Sequence, residues 1–202
     1  SESSCPECDD QFSSFSGYPQ QFASSISAKR VGCMSFSCPC PCHSSWLGGG
    51  SMVRAFQHYY PDIHLDTVEL DPKVAQVAKQ FFHVKETAKH KIHFSDGRQF
   101  LRLNKTRKYD AILMDAYTSN QFGTHIPFHL ATKEFFALAS EDLTKEGVLV
   151  FNVIGTYDDW RSDIVGSMYQ TLKSVFPHVY HFQASDTRNI VMLAVKSKEP
   201  LT

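Results

Sequence analysis

The rhythm of apolar and polar positions changes near Leu47. Residues 1–45 are rich in Ser, Pro and Cys and sustain neither a period of 2 nor one of 3.6, which predicts a poorly structured leader. Beyond it, Ser51 to Tyr60 has helical spacing, with Ser51 as N-cap and Tyr60-Pro61-Asp62 as the stop. Ile63 to Leu70 reads as a strand, and Pro72 to Phe82 as a helix capped by Asp71. Lys91 to Phe94 reads as a strand leading to Asp96-Gly97 and a short helix through Leu103. Tyr109 to Asp115 is an apolar run ending in a carboxylate, the pattern of a buried parallel strand whose carboxyl end meets a site. A loop from Tyr117 to Ile126, a helix from Pro127 to about Leu143, a strand from Gly147 to Ile154 and a helix from Asp158 to Phe176 follow. His178 to Gln183 and Asn189 to Val195 read as two closing strands.

Strand and helix alternate, which predicts an α/β fold: a doubly wound, mostly parallel, Rossmann-like sheet finished by an antiparallel strand pair. The domain reading is a leader over 1–45 and a nucleoside-binding domain over 46–202. Val31 to Phe36 is a candidate first strand, separated from the rest by Cys38 to Ser45, with Trp46 just ahead of the glycines.

The candidate chemistry starts at Leu47-Gly48-Gly49-Gly50-Ser51, followed eighteen residues after Ser51 by Glu69. A helix beginning at Ser51 exposes unpaired N–H groups in its first turn, and glycines let a ligand approach the backbone closely. Glu69, at the carboxyl end of its strand, is placed to accept both hydroxyls of a ribose. The glycines alone would equally make an ordinary turn; their spacing to Glu69 is what points to a nucleoside. Asp96 and Asp115 also follow predicted strands, so three carboxylates converge on one rim of the sheet. Each has a plainer reading as a cap or turn residue, Asp96 before Gly97 above all.

Composition narrows the partners. The 202 residues are 42% hydrophobic, enough for a sizeable core, and 20 basic against 21 acidic residues give no electrostatic case for nucleic acid. No apolar run is long enough for a membrane span, and the first residues lack the basic and apolar regions of a secretory signal. All six cysteines lie within the first 42 residues, as Cys5-Pro6-Glu7-Cys8, Cys33 and Cys38-Pro39-Cys40-Pro41-Cys42. They are read as incidental to a Ser-rich leader, so no metal is expected; zinc ligation and disulfides are the alternatives. A main domain without cysteine fits a reducing compartment, hence a cytoplasmic location. His90 and His93, three apart on a strand, would face opposite sides and share no metal. His125 and His129 suit a surface or substrate-loop role, and Asp158 or Asp159 in Tyr157-Asp158-Asp159-Trp160 a helix cap.

The chain resembles the spermidine synthases, the polyamine aminopropyltransferases that share the fold of class I S-adenosylmethionine-dependent methyltransferases. The resemblance runs from about Leu47 to Val195. Four motifs carry it by their order and spacing: Leu47 to Ser51; Val68-Glu69-Leu70-Asp71-Pro72; Ser95 to Leu101; and Tyr109 to Tyr117. Ile126 to Phe136 is similar to a segment of the spermidine-synthase-like branch. The resemblance implies that Gly48, Gly49 and Gly50 line the donor, with Gly97 beside it. It further implies that Glu69 holds the ribose, that Asp96 accepts from the adenine amino group, and that Asp115 sits beside the reacting amine. Tyr117 would position the acceptor through its hydroxyl. A homodimer is the assembly to expect.

Three function classes follow. The first is an aminopropyltransferase-like enzyme that uses decarboxylated S-adenosylmethionine and a polyamine or other amine acceptor, favoured by the four motifs and Asp115. A methyltransferase using S-adenosylmethionine is second. Ser51 stands where the family carries an Asp, and Ala116 to Asn120 lacks its second acid, which removes polyamine contacts but leaves the nucleoside site intact. The third is a noncatalytic nucleoside- or metal-binding module, suggested by the cysteines of the leader.

Overall fold

In the computed structural model of the chain, residues 30–34, 47, 50–121, 123–155, 157, 162–183 and 189–200 are described, the backbone alone at 30–34, 119–120, 123–124 and 162. Gly48, Gly49, Trp46, Asp158 to Trp160 and every cysteine except Cys33 lie outside the described residues. The strands are β1 (Arg30–Met34), β2 (His64–Glu69), β3 (His90–Phe94), β4 (Tyr109–Met114), β5 (Thr118–Asn120), β6 (Gly123–His125), β7 (Leu143–Ile154), β8 (His178–Gln183) and β9 (Asn189–Val195). The helices are α1 (Ser51–Tyr59), α2 (Pro72–Phe81), α3 (Gly97–Leu103), α4 (Lys133–Asp142) and α5 (Ser162–Lys173).

Seven strands form one sheet in the order β3-β2-β1-β4-β7-β9-β8. β1, β2, β3, β4 and β7 run parallel, and β9 pairs antiparallel with both β7 and β8. The α/β, mostly parallel, doubly wound architecture and its closing antiparallel pair are therefore those expected. The central strand comes from within residues 1–45: β1 pairs Val31 with Leu65 on one side and with Ala111 on the other. The stretch read as a leader thus donates the strand at which the winding reverses, and the candidate first strand at Val31 to Phe36 is realised over Arg30–Met34.

Alternation along each strand sorts the core into two layers. On β4, Ile112 and Met114 join Phe100, Phe135, Phe136 and Phe151 beneath α3, α4 and α5, whereas Ala111 and Leu113 join Val53, Phe56, Ala75 and Ala78 beneath α1 and α2. Successive residues of a strand point to opposite faces, so a strand covered by helices on both sides must be apolar throughout. Each fully buried Phe or Leu of these layers contributes about 1.5–3 kcal/mol. The pairing of β4 with β7 jumps from Tyr109↔Leu143 to Ala111↔Val148, so β7 starts earlier than Gly147, where the apolar run begins. Gly147 allows the irregularity: a Cβ there would lie 2.9 Å from Leu143 Cβ and 3.0 Å from the Tyr109 carbonyl oxygen.

Helix starts follow local chemistry. Asp71 accepts from Lys73 N, Asp96 from Gln99 N and Thr132 from Phe135 N, each satisfying an orphan donor of its helix. The N-cap of α1 is Gly50 instead of Ser51; it lies at φ +65°, where a side chain is strained, and has no side-chain cap. Two expectations change between β4 and β7. The loop Tyr117 to Ile126 contains an antiparallel ribbon, β5 and β6, and the helix expected from Pro127 is a 3-10 turn (Phe128–Leu130) followed by α4. The Thr132 cap restarts the chain there, because its side chain offers the first turn a better start than Pro127 does.

Candidate active site

Glu69 ends β2 and is completely buried, with Oε1 accepting from Asp71 N at 2.9 Å. Its backbone carbonyl accepts from Ser95 N (3.2 Å), which ties the end of β2 to the turn after β3. That turn carries Asp96. One carboxylate oxygen caps α3 through Gln99 N (2.9 Å), and the other accepts from His129 Nε2 at 2.8 Å. Arg98 Nη1 donates to the His129 carbonyl (2.9 Å), so the segment after the β5–β6 ribbon is fastened over Asp96 from two directions. Gly97, next in line, is buried at the start of α3.

Asp115 follows β4 and is 4% exposed. Met114 pairs with Phe151 in the parallel register, which sets the next residues, Asp115 and Asn152, side by side. Asn152 Nδ2 donates to Asp115 Oδ1 at 3.0 Å, while Asp115 Oδ2 and Asn152 Oδ1 are buried with no hydrogen-bond partner among the described residues. Burial pushes the Asp115 carboxyl well above the usual carboxylate range, against the opposing pull of the Asn152 amide. A buried carboxyl shifted upward in this way holds its proton more tightly than an exposed one.

The Tyr117 hydroxyl donates to the Asn152 carbonyl (2.7 Å) and accepts from Ile154 N (2.9 Å). Its single proton is engaged by β7, so the hydroxyl braces the wall of the site beside Asp115. Burial first, and the Asp115 charge second, push this phenol well above its ordinary value.

Glu69, Asp96, Gly97 and Asp115 thus gather along the carboxyl ends of β2, β3 and β4, with Gly50 at the start of α1; Gly48 and Gly49 lie outside the described residues. Asn152 is the residue that sequence reasoning missed. Its signal was an amide inside the apolar run Val148 to Ile154, costly to bury unless it meets a partner. His129, read as a surface or substrate-loop residue, is exposed and also bonds Asp96. His90 and His93 do face opposite sides: His90 Nδ1 donates to the Lys85 carbonyl and its Nε2 accepts from Thr67, whereas His93 Nε2 donates to Asp66. Among the described residues no group of three or more His, Cys, Asp and Glu side chains could hold a metal ion, and no helix is long and apolar enough to cross a membrane.

The strand order and the carboxylates at the strand ends define a class I methyltransferase-type α/β fold. Human Methyltransferase-like protein 13, solved in complex with SAH, matches it at a TM-score of 0.70 with 21% identity, over 98% of this chain and 84% of that one. Spermidine synthase from Thermotoga maritima matches at a TM-score of 0.62 with 18% identity, over 86% of this chain and 56% of that one. Within that class, the Spermine/spermidine synthase domain model matches residues 47–199, and the chain belongs to this family. The polyamine aminopropyltransferase of Vibrio vulnificus is 35% identical over 157 residues, 76% of this chain and 50% of that protein. The chain spans about half the length of that curated relative.

Proposed function

We propose that this chain carries the transferase site of an aminopropyltransferase-like enzyme, which moves an aminopropyl group from decarboxylated S-adenosylmethionine to a polyamine. The observation that carries the reading is the buried Asp115 carboxyl, whose Oδ2 has no partner, on the same rim as Glu69 and Asp96. In this reaction an amine nitrogen attacks the methylene carbon beside the sulfonium sulfur. The new C–N bond forms as the C–S bond breaks, the electron pair returns to sulfur as a neutral thioether, and the nitrogen gives up a proton. Asp115 Oδ2 is the acceptor for that proton and orients the incoming nitrogen. Glu69, buried and braced by Asp71 N, suits the ribose hydroxyls. Asp96 suits the adenine amino group, Gly48, Gly49, Gly50 and Gly97 the close approach of the donor, and the Tyr117 ring the wall beside the acceptor. A cytoplasmic setting and a homodimeric assembly belong to the same proposal.

A second reading, methyl transfer from S-adenosylmethionine, is favoured by Ser51 in place of the family's Asp. Both donors share the nucleoside and differ by one carboxylate. Incubating the chain with each donor and with putrescine or spermidine, then identifying the nucleoside by mass spectrometry, separates them. Methylthioadenosine together with a lengthened polyamine, both lost in Asp115→Asn, is the expected result. S-adenosylhomocysteine with a methylated acceptor would replace the first reading by the second.

A further inference from the structure

Asn152 interrupts an apolar strand, and β7 runs through the middle of the sheet between β4 and β9. Its neighbours Phe151 and Val153 face the α3–α5 layer, as alternation requires, and Asn152 points the other way, 3% exposed. Such a position is normally aliphatic, since an amide out of water must recover its hydrogen bonds from protein. Asn152 recovers only part of them. Its Nδ2 is used on Asp115 Oδ1, its carbonyl on the Tyr117 hydroxyl, and its Oδ1 on nothing. The second oxygen of its partner, Asp115 Oδ2, is equally unmatched. When Asp115 is ionised, one hydrogen-bonded pair therefore holds two buried acceptors that both lack a donor among the described residues.

We propose that Asn152 is the positioning residue of the amine site: its amide fixes Asp115 through Oδ1, so that Asp115 Oδ2 and Asn152 Oδ1 together receive the N–H bonds of one incoming nitrogen. The proposal rests on the amine-acceptor reading above and adds a residue and a selectivity to it. A nitrogen with two or more N–H bonds satisfies both oxygens at once. A hydroxyl has a single proton, satisfies one oxygen and leaves the other buried and unmatched, so the pair selects nitrogen over oxygen. Among the described residues Tyr117 is a titratable neighbour of the pair, and its proton is already committed to β7.

The test follows the Asp115 carboxyl carbon by NMR as pH is raised, with and without propylamine or propanol, in the wild type, Asn152→Leu and Asn152→Asp. The readout does not depend on turnover. Propylamine should lower the pH at which wild-type Asp115 titrates, and propanol should not. In Asn152→Leu, which keeps the branching at Cγ but loses both the amide donor and the amide acceptor, Asp115 should titrate at higher pH and the propylamine effect should weaken by about 10- to 100-fold in amine affinity. Asn152→Asp retains the acceptor but not the donor; it should also raise the Asp115 titration, by placing a like charge beside it. Thermal melts within a few degrees of wild type exclude simple unfolding. No propylamine effect in the wild type, or an undiminished one in Asn152→Leu, would overturn the proposal. If propylamine shifts Asp115 as expected but no lengthened polyamine forms, only the aminopropyl reading fails.

Discussion

Replacing Asp115 by Asn should stabilise the fold while abolishing proton transfer. In the unfolded chain this carboxyl ionises near 3.8, whereas in the folded chain burial keeps it protonated to a much higher pH. Between those two points the folded state holds more protons than the unfolded one, so stability is fully present below the lower value and declines as pH rises toward the higher. Each pH unit of that mismatch costs about 1.4 kcal/mol. The total loss is set by how far the folded value lies above 3.8. The amide introduced by Asp115→Asn carries no such cost. Its oxygen keeps the bond from Asn152 Nδ2, and its nitrogen can reach the unmatched Asn152 Oδ1. Relief of the two unmatched buried oxygens is worth about 1–3 kcal/mol, so we expect Asp115→Asn to gain that much at pH 7, raising Tm by about 2–4 °C per kcal/mol in a domain of this size. Thermal melts by circular dichroism at pH 4, 5.5 and 7 check it, with the gain shrinking as pH falls. A variant less stable than wild type at pH 7, or an advantage independent of pH, would refute the reasoning.

Two further outcomes concern stability away from Asp115. Gly50→Ala should cost about 1–3 kcal/mol in urea unfolding, because Gly50 sits at φ +65° and a Cβ would overlap the Val84 side chain. Adding Val84→Ala should relieve the overlap without relieving the backbone strain, leaving a measurable residue of the defect. Asp66 behaves oppositely to Asp115 with pH. Burial would raise it, but His93 and Arg107 hold the carboxyl below its ordinary value, with the Tyr109 hydroxyl donating as well. Its contribution is therefore present above about pH 4 and lost as pH falls through the lower folded value. Asp66→Asn should cost about 2 kcal/mol at pH 7, discounted for the partial exposure of Arg107 and His93, and much less at pH 3 by the same melts.

The parts of this protein legible in one dimension are those that depend on neighbours in sequence. β8 and β9 appear within the bounds their patterns predict, and the Asp71 and Asp96 caps bond the amides their positions imply, because strand alternation and capping are set within a few residues. The carboxylates at strand ends belong to the same group. Glu69, Asp96 and Asp115 are legible because a parallel sheet turns strand ends into a rim, whatever the register.

Register, pairing and reach between distant segments answer to the packed molecule alone. Nothing local to Arg30–Met34 marks it as the centre of the sheet; β1 takes that place because β2 and β4 each present an open edge to it. The β5–β6 ribbon forms by pairing Thr118 with His125, where local composition suggests only a loop. Asn152 lies 37 positions from Asp115, and only the register of β7 against β4 brings them to 3.0 Å. His129 reaches Asp96 across 33 positions in the same way. Local periodicity establishes which residues will be helix, strand and cap, whereas the environment that shifts the Asp115 carboxyl upward arises from burial and a partner on another strand, and these exist only once the sheet has closed.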